Sequence, residues 1–266
     1  MRESEHNDDM TSPANATDLE IAIEIIKAAG HLTQTHFLSD ALQVAHKDDG
    51  TPVTEADRDA ETLIRTMLHS YFPEDSIDGE EHADHEGTST RRWVIDPIDG
   101  TKAFTRGVGL YSNLLYLEDE HGPAIGIIYV PALNELVAAG RGLGCWFNGE
   151  RCTVSDRTDL NTAVLATSGF EEWDEQMILA AHRSELTLRT WGDGYGYVLV
   201  ATGRAEAMVD AVISFWDIAP CLVIIPEAGG TLTTLAGGDA SEATSCIATN
   251  GALHEPIRSV LMSGAL

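Results

Sequence analysis

Apolar positions along this 266-residue chain follow a helical period at first, then a strand period, then a mixture of the two. From Asp18 to about Phe37, the residues Ile21, Ala22, Ile25, Ile26 and Ala29 share one helical face. A second helix is predicted to start at Thr54-Glu55-Ala56-Asp57, with Thr54 as N-cap and an acid three residues on. Ala56, Ala60, Leu63, Ile64, Met67 and Leu68 carry it to Tyr71, and Pro73 stops it. Asp48-Asp49-Gly50-Thr51-Pro52 between the helices reads as a loop or turn.

The middle of the chain reads as strands. Trp93-Val94-Ile95 is a short apolar run, and Tyr111 to Glu118 and Ala124 to Val130 are longer ones. The polar break at Asp119 to Pro123 makes them an antiparallel hairpin. Leu136 to Ala139 and Gly144 to Phe147 follow, with Asn148-Gly149 as a hairpin turn. Beyond Asp159 strands and helices alternate. Ala163 to Thr167, Thr187 to Thr190, Glu206 to Asp210 and Ser245 to Ala248 read as strands. Glu172 to His182, Tyr195 to Gly203, Asp217 to Ala228 and Ala252 to Met262 read as helices. The shift near residues 140–160 divides the chain into an N-terminal α+β part, 18–150, and a C-terminal α/β part, 151–266. Residues 1–17 read as a disordered acidic tail. A layered α/β architecture with a cleft between two sub-domains is expected.

Charge narrows the partners. Lys and Arg total 16 against 43 Asp and Glu, a net charge of −27. Nucleic acid would need a basic face, and an anionic membrane would repel this chain, so neither is expected as a partner. The hydrophobic fraction of 43% is that of a folded globular protein. Four scattered cysteines with no Cys-x-x-Cys pair suit reduced thiols in the cytoplasm. No run of about 18 apolar residues exists to span a bilayer, and the polar start has no signal-peptide pattern. Most of the acids form a solvated surface; a few are placed to meet.

Three segments carry those few. Asp78-Gly79-Glu80-Glu81 bends just past a short strand. Trp93-Val94-Ile95-Asp96-Pro97-Ile98-Asp99-Gly100-Thr101 ends a buried strand in a turn that delivers Asp96 and Asp99 together. Two carboxylates that close repel unless one is protonated or a cation lies between them. Hard oxygen ligands favour Mg²⁺. Phe215-Trp216-Asp217-Ile218-Ala219-Pro220 places Asp217 at a helix N-cap, with Pro220 tolerated in the first turn.

In this order the three segments resemble the inositol monophosphatase family of Mg²⁺-dependent phosphatases. The resemblance runs from about Asp18 to the C-terminus. It takes in Pro52-Val53-Thr54-Glu55-Ala56-Asp57, Asn148-Gly149, Val200-Ala201-Thr202-Gly203 and Ala248-Thr249-Asn250-Gly251. It implies a layered αβαβα sandwich with two sub-domains around a metal-binding cleft, two or three Mg²⁺ per site, a small-molecule phosphate monoester as substrate, and a cytoplasmic homodimer. Glu80, Asp96, Asp99, Asp217 and the Ile98 carbonyl would bind metal. Glu80 and Thr101 would activate the attacking water. The amides of Gly100 and Thr101, beside Asp99, would hold the phosphate at a helix start. The family often has an acid three residues before the threonine at position 54, to support the water-activating threonine. Here that position is Thr51, which leaves the support to Lys47, Asp48 or Asp49.

Gly192-Asp193-Gly194-Tyr195-Gly196 resembles the histidinol-phosphatase branch of the family; polyol-specific members tend to carry a Gly and then small residues there. Gly192, Asp193 and Asp210 would then contact the substrate, and the two carboxylates match its ammonium and imidazole. An inositol monophosphatase is the alternative. Such an acidic pocket offers no cationic clamp for a second phosphate, which disfavours sugar bisphosphates. Outside the enzymes stands a metal- or phosphate-binding protein on the same fold. His82 and His85 lack further ligands at zinc spacing and read as a loop.

Overall fold

The computed structural model describes residues 12–39, 42–47, 50–242 and 244–263. Helix α1, Ala16–His36, is capped by the Asn15 side chain, which accepts from the amides of Thr17 and Asp18. A short hairpin of β1, Val44–His46, and β2, Pro52–Thr54, leads into α2, Glu55–Tyr71. The capping box at Thr54 and Asp57 forms as the sequence indicates.

A seven-stranded sheet follows in simple chain order. Its strands are β3 (Ser76–Gly79), β4 (Arg92–Asp99), β5 (Ser112–Asp119), β6 (Gly122–Val130), β7 (Glu135–Gly140), β8 (Gly144–Phe147) and β9 (Glu150–Arg151). The one-turn helix α3, Thr101–Phe104, lies between β4 and β5. Only β3 and β4 pair in parallel; the rest of the sheet is antiparallel. A second sheet has five strands in the order β11-β10-β12-β14-β13. These are β10 (Val164–Ala166), β11 (Thr187–Arg189), β12 (Ala207–Asp210), β13 (Thr231–Thr233) and β14 (Cys246–Thr249). With them come α4 (Glu175–Arg183), α5 (Asp193–Ala201), α6 (Phe215–Ile218), α7 (Cys221–Glu227) and α8 (His254–Met262).

Both faces of the large sheet are covered, so its strands are near-continuous apolar runs rather than alternating ones. Along β5, Leu115 and Leu117 pack with Ile25, Ile26, Ile64 and Leu68 of α1 and α2. Leu114 and Tyr116 face the other way, toward Val198, Val200, Ile224 and Ile225 of α5 and α7. Met208 and Cys246 of the second sheet close that layer from beyond. On the far face of the second sheet, Leu165, Val209 and Ile247 pack with Met177 of α4 and Ile257 of α8. The layers are therefore αβαβα, as expected.

Several details of the fold differ from the sequence reading. The expected tail, 1–17, falls partly outside the described residues. Within them, Ala14 donates to Arg141 O at 2.8 Å, Arg141 Nε donates to Ser12 O at 2.7 Å, and α1 already begins at Ala16. These backbone partners hold a stretch whose composition looked unstructured. The apolar run Asp217 to Ala228 is two short helices, not one. Pro220 has no N–H to donate, and the helical hydrogen-bond ladder breaks there between α6 and α7, although Ala219 and Pro220 keep right-handed helical dihedrals. Strand β13 carries no apolar alternation, being half-buried throughout, and only its pairing with β14 defines it.

The break at Pro220 sits hard against the large sheet. A Cβ on Gly126 of β6 would lie 2.2 Å from Pro220 O, so only glycine lets the α6–α7 connection approach this closely. Gly126→Ala should cost about 1–3 kcal/mol through forced backbone displacement. Urea denaturation measures it; an unchanged midpoint would show that the connection yields freely.

Candidate active site

Each acidic segment ends at the same cleft. Its walls include Lys47, Thr51, Glu80, Asp96, Ile98, Asp99, Thr101, Lys102, Asp193, Trp216 and Asp217, around a space of about 430 Å³. Strand β4 delivers Asp96 and Asp99, with a break in register between them. Asn113 Nδ2 donates to Pro97 O, and Asp96 Oδ1 accepts from Ile98 N at 3.0 Å, so the bend is held from two sides. Gly100 takes φ +80, a left-handed conformation, to turn the chain into α3.

Asp217 comes from α6. It is not the N-cap: Ser214 caps the helix, and Asp217 is the reciprocal acid, its Oδ2 accepting from Ser214 N at 3.1 Å. One carboxylate oxygen each from Asp96, Asp99 and Asp217 lies within 4.8 Å of the others. Glu80 reaches the cleft from the turn after β3, where its Oε1 lies 2.7 Å from Lys47 Nζ. Lys47 Nζ is also 2.7 Å from Glu81 Oε1.

Such a gathering of carboxylates is costly without a counter-charge. Burial pushes Asp96 well above the usual carboxylate range, and Glu80, Asp99 and Asp217 add to it. Burial also holds Asp99 well above that range, with Asp193 and Asp217 contributing. Asp217 is pushed up to about 7, again by burial first, with Ser214 N opposing. Glu80 is raised by burial too, although Lys47 works against the shift. Burial alone would lower the Lys47 ammonium, but its two carboxylate partners outweigh that and raise it. Hydrogen bonds link Asp96 to both Glu80 and Asp217, so with no cation between them these acids share protons. The donor set is all oxygen and anionic, which fits a hard divalent cation.

Thr101 begins α3, and its Oγ1 has two acceptors in reach: Ile98 O at 3.0 Å and Asp57 Oδ1 at 3.3 Å. Asp57 is therefore the acid that meets Thr101, where the sequence pointed to Lys47, Asp48 or Asp49. Thr51 lines the cleft, Lys47 is turned to Glu80 and Glu81, and Asp48 and Asp49 lie outside the described residues. The capping box hid this role. Asp57 Oδ2 accepts from Thr54 N at 2.8 Å and from Thr54 Oγ1 at 2.5 Å, while Oδ1 is left for a residue 44 positions on. Burial raises Asp57 to about 6, against the pull of the Thr54 bonds. Helix α3 is a single turn, so the amides at its start, rather than a long dipole, are what it offers an anion.

The candidate substrate residues sit beside this cleft. Asp193, in a left-handed conformation (φ +52), starts α5, and its carboxylate lies against Gly100. It lines both the cleft and a neighbouring pocket of about 640 Å³, which Gly192, Asp210, Ser168, Lys102 and Arg106 also line. Gly192 packs so closely on Ser168 that a Cβ would lie 2.1 Å from its Cα. Asp210 is buried, with Oδ2 accepting from Tyr197 OH at 2.8 Å and Oδ1 from Ser168 N at 3.3 Å. Sequence reasoning missed Tyr197, which looked like one apolar residue among several on α5. Burial pushes Asp193 to about 6, with Asp210 adding to the shift. Gly194 N donates to Asp99 Oδ2, and Ser112 Oγ to the same oxygen at 3.1 Å, so α5 and β5 both fix Asp99.

Asp57, Asp193 and Asp217 bind protons more tightly folded than unfolded, where the carboxyl value is 3.8. Their contribution to stability is fully present below about pH 4 and lost as pH rises through about 6–7. Asp217→Asn keeps an oxygen for Ser214 N and removes one ionisation. Without divalent cations it should stabilise the protein on the order of 1–2 kcal/mol at about pH 8, and much less at about pH 5. Urea titrations at both values, in chelator, test this; destabilisation at pH 8 would contradict it.

No helix among the described residues is long and apolar enough to cross a membrane. The model of the inositol monophosphatase family matches residues 14–263. A histidinol-phosphatase of Chlorobaculum parvum is 44% identical over 80% of this chain and 84% of its own length. One of Mycobacterium tuberculosis is 34% identical over 93% of this chain and 98% of its own. An IMPase structure from Thermotoga maritima superposes with a TM-score of 0.85 at 31% identity, covering 94% of this chain and 98% of the other. With the layered fold and the carboxylate cleft already in place, these matches establish that the chain belongs to the inositol monophosphatase family, and is thus a phosphoric monoester hydrolase.

Proposed function

We propose that this protein is a Mg²⁺-dependent histidinol-phosphate phosphatase, converting L-histidinol phosphate and water to L-histidinol and phosphate. The observation that carries this reading is the junction at Asp193. An oxygen-only cluster of Asp96, Asp99 and Asp217 opens there directly onto a pocket that holds Asp193 and Asp210. The relatives named as histidinol-phosphatases support it.

In this reading Glu80, Asp96, Asp99, Asp217 and the Ile98 carbonyl hold the divalent ions. Divalent ions held by these residues would supply Lewis acidity toward the phosphoryl oxygens and the attacking water. The chain's own groups do the rest. Thr101 Oγ1 has a single proton, and giving it to Asp57 Oδ1 turns a lone pair toward the cleft to accept from water. Glu80, across the cleft, accepts from the same water. The amides of Gly100 and Thr101 hold the phosphate oxygens that gain charge in the transition state. Beyond the phosphate, the carboxylates of Asp193 and Asp210 attract the ammonium and imidazole of the substrate. Homodimerisation and a cytoplasmic location go with the reading through the family resemblance.

One observation favours a second reading. Lys102 and Arg106 also line the pocket beside Asp193 and Asp210. The pocket therefore has cationic side chains that its acidic sequence concealed, and these could meet a second phosphate, as in a sugar bisphosphate.

Phosphate release from L-histidinol phosphate, inositol 1-phosphate and fructose 1,6-bisphosphate, each with and without Mg²⁺, separates these readings. Histidinol phosphate should be preferred by at least about tenfold in kcat/KM, equal to about 1.4 kcal/mol of transition-state discrimination. Faster turnover of either of the others would refute the substrate, and Mg²⁺-independent turnover would refute the metal. Asp96→Asn should lower kcat by about a thousandfold or more while circular dichroism stays unchanged; wild-type activity would remove Asp96 from the metal site.

A further inference from the structure

The turn that carries Glu80 is gripped from behind by a buried ion pair on α2. Glu61 has no exposed surface. Its Oε2 accepts from Glu81 N at 2.7 Å, and its Oε1 from His82 N at 3.3 Å. Arg65 Nε, one helical turn on, donates to the same Oε1 at 2.7 Å. The two remaining guanidinium nitrogens of Arg65 donate to Ile77 O and His82 O, both at 3.3 Å. Backbone on both sides of Glu80 is thus tied to one pair of side chains. Gly79 permits the grip: a Cβ there would lie 2.1 Å from Glu61 Oε1 and 2.8 Å from Arg65 Nη2.

An apolar residue would fill position 61 of a packed helix at lower cost than a buried carboxylate, which needs every one of its partners. The spacing shows what the carboxylate gains. Asp57, Glu61 and Arg65 are four residues apart and share one face of α2. Asp57 reaches Thr101, and Glu61 with Arg65 reaches the turn of Glu80. Both groups assigned to the attacking water are therefore indexed to a single rigid helix. On the other side of the turn, Lys47 pulls on Glu80 and Glu81.

We infer that Glu61, assisted by Arg65, is a positioning residue that sets where Glu80 stands in the cleft and so sets its affinity for divalent metal. The inference rests on the metal-ligand reading of Glu80 given above. Glu61→Gln keeps the shape, but its amide nitrogen cannot accept from a backbone N–H, so one strut of the turn is lost. Partners that orient metal ligands are typically worth about 10–100-fold in metal affinity. Gly79→Ala attacks the same contact from the turn and leaves Glu61 intact.

Binding of Mn²⁺ to the full-length protein, read from the free-ion electron paramagnetic resonance signal, tests this in wild type, Glu80→Gln, Glu61→Gln and Gly79→Ala. Thermal melts run alongside, and turnover is measured across a Mg²⁺ titration. Tenfold or weaker Mn²⁺ binding is expected in all three variants, with the Mg²⁺ required for half-maximal turnover raised in step and kcat at saturating Mg²⁺ less affected in Glu61→Gln and Gly79→Ala. If Glu80→Gln weakens Mn²⁺ binding but Glu61→Gln and Gly79→Ala bind as wild type, with only lower melting temperatures, then the pair merely packs and the inference falls. Wild-type binding by Glu80→Gln would remove the metal role of Glu80, and the inference with it. Should Glu61→Gln not fold, Gly79→Ala decides alone.

Discussion

Repulsion between carboxylates that the fold forces together is the constraint on which the rest of this structure depends. Asp96, Asp99 and Asp217 converge within 4.8 Å, and burial with mutual repulsion holds all of them above the usual carboxylate range. A protein relieves such a cluster with protons or with cations. In the proposed function, a divalent cation would turn the same cost into a charged, rigid surface for a phosphoryl group, and stability and activity would be set against each other in this cleft.

The architecture is what makes that state tolerable. The acids are held by elements of different layers: Asp96 and Asp99 by β4, Asp217 by α6, and Asp57 beside them by α2. Strand β4 lies within the large sheet, α6 packs between the sheets, and α2 covers the outer face. Asp99 is tied to α5 through Gly194, and Asp217 to its own helix start through Ser214. No acid can retreat from the others without disturbing a packed layer. The bonds that fix Asp193 and Asp210, through Ser168 and Tyr197, extend the same scheme into the neighbouring pocket.

Much of this was legible in the sequence. The apolar runs of β4 to β7, the capping box at Thr54 and the turn after Ile95 each carry a local signal, and the order of the acidic segments points to the family. What stayed hidden depends on contacts distant in the chain. Asp57 reads as a helix cap because one of its oxygens is one; the other meets Thr101 only when α2 lies against the end of β4. Glu61 reads as one more surface acid in a chain of 43, yet it is fully buried under the Glu80 turn. The run from Asp217 to Ala228 reads as one helix because apolar spacing continues across Pro220, where the missing N–H breaks the helical hydrogen-bond ladder although the dihedrals stay right-handed. Lys102 and Arg106 were lost in the net charge of −27, which says nothing about where the few cations stand.

Proton release on metal binding is the most direct measure of the central claim. Titrating Mg²⁺ into the metal-free protein at about pH 6.5, by calorimetry in buffers of different ionisation enthalpy, counts the protons displaced. If the buried acids share protons that a cation replaces, roughly one or more protons should leave per protein, and fewer as the pH is raised to about 8.5. Magnesium binding that displaces no protons at pH 6.5 would contradict the account, because the cluster would then be fully ionised without a metal.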